Sequence, residues 1–60
     1  MMDVLRPGDR VIVTDDRHEH AGRTGAVRIN DGGYRIDVRL DNGPYVTIPR
    51  RALRVIRRAR

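Results

Sequence analysis

Thirteen basic side chains, every one an arginine, supply the positive charge of this 60-residue chain. Six of them, Arg50, Arg51, Arg54, Arg57, Arg58 and Arg60, lie in residues 50–60 with no acid among them. A guanidinium is a planar fork of N–H donors that fits phosphate or carboxylate oxygens two at a time. The chemistry on offer is therefore ion pairing with an anionic polymer or an acidic protein surface. Residues 1–49 hold seven arginines against eight acids, so the formal net charge of +5 belongs to the C-terminal part. Each phosphate that such a segment neutralises releases condensed counterions, which makes binding steeply salt-dependent. Arg28 and Arg35, with Arg23 and Arg39, extend the patch if they share the outward face of a sheet. Asp37 and Asp41 are near enough in sequence to pair with some of them across strands. A solvated basic end, or an arginine-rich composition inherited from GC-rich coding, is the plainer account of the same residues.

Other reactive groups are few. Serine, cysteine and lysine are absent, which leaves threonine, tyrosine or a carboxylate as nucleophile, and no pattern specifies a reaction. The expectation is a non-enzyme without a cofactor. His18-Glu19-His20 invites a metal reading, but two imidazoles and a loop carboxylate fall short of a structural zinc site, and loop polarity accounts for them. Asp15, Asp16, His18 and Tyr45 are instead candidate contacts for a partner, and the histidines would make such a contact pH-sensitive. Tyr34 and Tyr45 are the only aromatics besides histidine. They flank turns and are expected to cap the ends of the fold. Two tyrosines make a poor platform for reading bases, for Pro-rich peptides or for methyl-lysine.

The elements that must position these groups are short strands. Pro7-Gly8-Asp9 is a turn signal that launches Arg10–Thr14, with Val11 and Val13 on one face. Thr14 to Gly22 has no apolar period and reads as an exposed loop. Gly25–Asn30 is a second strand, Val27 and Ile29 inward and Arg28 outward. Asp31-Gly32-Gly33 turns into Tyr34–Leu40, where Ile36, Val38 and Leu40 alternate with Arg35, Asp37 and Arg39, as in a sheet with one wet face. Asn42-Gly43 marks a tight hairpin into Tyr45–Ile48, with Val46 and Ile48 inward. Pro49 begins a helical turn through Ala52, and Leu53–Ile56 is the fifth strand. Five strands separated by turns predict an all-β, five-stranded small barrel over residues 1–56, with a basic tail at 57–60.

The pattern Gly8-Asp9-Arg10-Val11 with Val13, then Gly22, Gly25, Val27 and Ile29, resembles the KOW motif of the NusG C-terminal domain and certain ribosomal proteins. Through Asn42-Gly43 and Val46-x-Ile48-Pro49-x-x-Ala52-Leu53 the chain is similar to SH3-like barrels generally. The resemblance implies an SH3-like barrel that contacts RNA or a transcription or translation assembly. The loop after the first strand is longer than in KOW, and the glycine that usually follows that strand is missing. Gly33-Tyr34 and Val46-Thr47-Ile48 also resemble the outline of the plasmid type II dihydrofolate reductases. Thr47 and Pro49 replace the Gln and Tyr of that family's pore motif, so its chemistry is not implied.

Fifteen Val, Ile and Leu residues must make the core, and a core of this size rarely supplies more than roughly 3–5 kcal/mol. Self-assembly is therefore expected as well. The start lacks the basic and apolar regions of a signal peptide, no stretch has the length of a membrane span, and a cytoplasmic protein is the expectation. The leading functional expectation is a module that binds RNA or DNA phosphates, and the alternative is a protein–protein adaptor or small subunit. Truncation after Ile56 is the experiment that would separate the two.

Overall fold

A computed structural model describes residues 5–29 and 34–59. The expected turn at Asp31-Gly32-Gly33, Asn30 and Arg60 lie outside the described residues. Five strands form in chain order: β1 (Arg10–Val13), β2 (Thr24–Ile29), β3 (Arg35–Leu40), β4 (Tyr45–Pro49) and β5 (Leu53–Arg57). A 3-10 turn over Arg50–Ala52 precedes β5. All pairings are antiparallel, in one sheet of order β4-β3-β2-β1-β5. The sheet stays open, with β4 and β5 as its edges, so the strand pairing does not close a barrel.

Alternation places the core. Val11, Val13, Val27, Ile36, Val38, Leu40, Ile48 and Leu53 point to one face and are all at most 4% exposed, joined there by Leu5 and Ala52. Among the described residues neither a second sheet nor an α-helix covers that face, so the twisted sheet must curl over itself to bury it. Gly25 permits the close approach this needs: a Cβ there would stand 2.5 Å from the Arg39 carbonyl oxygen.

Two irregularities change which residues face water. Between β2 and β3 the register steps from Val27↔Val38 to Ile29↔Asp37, so Arg28 and Ile29 together oppose one residue. Between β1 and β5 it steps from Val11↔Val55 to Arg10↔Arg57, which leaves Ile56 as the extra residue. A bulge of this kind breaks the in–out alternation. Ile29, expected inward, is 53% exposed, and Ile56 equally so. The β3–β4 hairpin also departs from a two-residue turn. The Gly43 N–H donates to Leu40 and the Leu40 N–H to Pro44, and only Gly43 of the loop has positive φ. That is a three-residue loop ending in a left-handed glycine.

Candidate nucleic-acid interface

The face opposite the core carries the charge. Arg10 on β1, Arg28 on β2, Arg35 and Arg39 on β3, and Arg54 and Arg57 on β5 alternate with core positions or sit at the bulges. The register aligns Arg57, Arg10, Ala26, Arg39 and Tyr45 in one row across all five strands. At about 4.8 Å between neighbouring strands, the row spans about 19 Å. Ala26 leaves a low step in its middle.

Two acids sort these arginines. Arg10 is committed: its Nη1 and Nη2 donate to the two Asp41 carboxylate oxygens at 2.7 and 2.5 Å. The Thr24 hydroxyl donates to the same carboxylate. The Arg10 and Thr24 bonds hold the Asp41 carboxyl down at about 2, and the pair raises the Arg10 pKa in turn. Arg28 lies 3.7 Å from Asp37, a looser ion pair, and stacks its guanidinium 4.6 Å from the Tyr45 ring centre. Arg39 stands over the same ring at 5.9 Å. Tyr45 is therefore an exposed ring, 54% accessible, framed by two cations.

The segment 50–59 is not an arm hanging from the sheet. Arg50 donates to the Leu53 carbonyl at 3.3 Å, and Arg51 stands 5.9 Å from the ring of Tyr34, which is also 54% exposed. Neither tyrosine joins the core cluster. Arg54 and Arg57 belong to β5 and are exposed.

Arg58 and the residue after it are held by Asp9, a role that sequence reasoning missed. Arg6-Pro7-Gly8-Asp9 closes a turn through the Asp9 N–H to the Arg6 carbonyl at 3.0 Å, with Gly8 at φ +91°. A positive-φ glycine at the third position is what a type II turn requires, and proline is common at the second. The turn buries the Asp9 side chain completely. Its carboxylate accepts from the Ala59 N–H at 2.7 Å, the Arg6 N–H at 2.9 Å and Arg58 Nη1 at 3.1 Å. Burial would raise the Asp9 pKa, but the bonds from Ala59, Arg6 and Arg58 outweigh it and the net shift is downward. The only available signal was the acid directly after Pro-Gly.

The loop candidates sit elsewhere, between β1 and β2. Asp15 accepts from the Arg17 N–H at 3.0 Å, and His18 Nδ1 accepts from the His20 N–H at 3.1 Å. Successive turns, His18 to Asp15 and Ala21 to His18, wind this loop, and Asp16 is exposed on it. Asp15, Asp16 and His18 thus share one loop, whereas Tyr45 belongs to the sheet.

The fold and this face define a small all-β chain with one arginine-rich sheet surface. Comparison with protein-family models, with curated proteins and with solved structures gives no match to this chain. No helix of the described residues is long and apolar enough to cross a membrane.

Proposed function

We propose that this chain is a non-enzymatic, SH3-like binding module that grips the phosphate backbone of RNA or DNA, alone or within a ribonucleoprotein or transcription assembly. The strand order and the 3-10 turn before β5 support the SH3-like reading, and the KOW-like residues Gly8-Asp9-Arg10-Val11 agree with it. The functional reading rests on one observation: the outer face collects Arg28 and Arg39 at the exposed ring of Tyr45 and Arg54 and Arg57 on the β5 edge, all on strands. Guanidinium forks on such a face meet phosphates without reordering a flexible tail, and they position the polymer without reading its sequence. Asp37 and Asp41 tether Arg28 and Arg10, so Arg39, Arg54 and Arg57 carry most of the phosphate contact. Cytoplasmic localisation belongs to the same proposal. Fluorescence anisotropy with labelled oligonucleotides at about 50 and 200 mM salt tests it. Binding that weakens more than tenfold between the two supports it, and affinity that ignores salt, or no binding at the lower salt, rejects it.

A second reading, a protein–protein adaptor, has its own observation. Among the described residues the edges β4 and β5 each pair with one strand only, the geometry that accepts an added strand, and Ile56 is exposed on one of them. A second copy of the chain is the simplest occupant, and the thin core gives self-assembly a motive. Sedimentation across micromolar concentrations tests it: a concentration-dependent dimer lost in Ile56→Lys supports this reading, and a monomer throughout rejects self-assembly.

A further inference from the structure

We infer that Tyr45, framed by Arg28 and Arg39, is a stacking platform for one unpaired base, so that the partner strand is single-stranded. The inference rests on the nucleic-acid reading above and narrows its partner. Three observations meet at this ring. Tyr45 is over half exposed, although it lies in a strand whose alternate residues pack inward. The two guanidiniums come from different strands, β2 and β3, and stand 4.6 and 5.9 Å from the ring centre. Arg28 faces outward by the ordinary alternation after the buried Val27, and the bulge at Arg28-Ile29 turns Ile29 out beside it.

An aromatic ring beside cations matches the parts of one nucleotide. The base stacks on the ring in place of a guanidinium that now stands over it, where stacking tolerates any base because each has a π-face, and the displaced guanidinium turns to the phosphate. Bases inside a duplex are stacked on each other and cannot reach the ring, so a paired partner gains only the phosphate contacts. From Tyr45 the row continues through Arg39 and then, past Ala26 and the Asp41-paired Arg10, to Arg57 at the far edge, so the flanking nucleotides meet cations at its two ends. Tyr34 serves as the control ring. It is as exposed as Tyr45, but among the described residues a single guanidinium, that of Arg51, stands over it, at 5.9 Å.

The test compares a single-stranded oligonucleotide, the same sequence as a duplex, and a strand of equal length with abasic sites, at one low salt concentration. Tyr45→Ala is expected to weaken binding of the single strand about tenfold, the ordinary worth of one stacked base. It should leave duplex and abasic binding within about twofold, while Tyr45→Phe and Tyr34→Ala keep single-strand affinity. Circular dichroism confirms that each variant is folded. In Tyr34→Phe, Tyr45 is the sole tyrosine, and its ring proton resonances should shift upfield with the single strand but not with the abasic one. Equal affinity for all three polymers, unmoved by Tyr45→Ala and with no ring shift, overturns the stacking site and leaves the phosphate reading intact. Failure of every polymer to bind at low salt overturns both.

Discussion

Asp9 is a fully buried carboxylate with three donors converging on it, a contact between the start of the chain's described part and its end. Removing the acceptor takes a hydrogen-bond partner from the Arg6 and Ala59 N–H groups and from Arg58. The Arg58 side chain is 46% exposed and rehydrates, so the cost is that of hydrogen bonds to a charged group, about 1.5–3 kcal/mol each, which together are comparable to the whole stability of a core this small. Asp9→Ala should therefore melt at a much lower urea concentration than the parent chain; an unchanged midpoint would contradict the clasp. Acid exposes the same physics. The Asp9 and Asp41 carboxyls both titrate below their usual range in the folded state, Asp41 at about 2. The stability they confer is thus present above the unfolded value of 3.8 and is lost as pH falls through each folded-state value, which for Asp41 is about 2. Urea midpoints should hold steady from about pH 7 to 5 and drop below about pH 4, less steeply in Asp41→Asn. A flat profile down to pH 2.5, or an unaltered slope in the variant, would contradict these assignments.

At the scale of elements, the strands and most of the core were legible because a sheet with one buried face writes its period into the sequence. Ile36, Val38 and Leu40 alternate with polar residues as the pleat requires, and all three are buried. Ile29 and Ile56 were not legible as surface residues. A bulge is set by how two strands register, and neither strand carries that information alone. The clasp was illegible for the same reason, since Asp9 and Ala59 are fifty positions apart. The clasp also alters what truncation after Ile56 can report. That cut removes Arg58 and Ala59 and leaves Asp9 buried with the Arg6 N–H as its one remaining donor of the three. It should destabilise the fold nearly as much as Asp9→Ala. Because both changes break one set of bonds, combining them should cost little more than either alone. Additive losses in urea denaturation would show that the C-terminal segment is held by something other than Asp9.

For the whole molecule, the composition pointed to the C-terminal arginines as an electrostatic arm, and the fold redistributes them. Arg54 and Arg57 join β5, Arg58 turns to Asp9, and Arg28 and Arg39 gather at Tyr45. The resulting surface is a charged sheet face, and no pattern along the chain could have shown Arg57 and Arg39 in one row. The most direct measurement is the salt dependence of oligonucleotide binding by the parent chain and by the double variant Arg39→Gln, Arg57→Gln, which leaves Asp9 and its partners intact. Each phosphate contact contributes roughly 0.7–0.9 to the slope of log affinity against log salt. The account predicts a steep slope for the parent and one shallower by about 1.5 for the variant. A variant that keeps the parent's slope, or a parent with none, would contradict it.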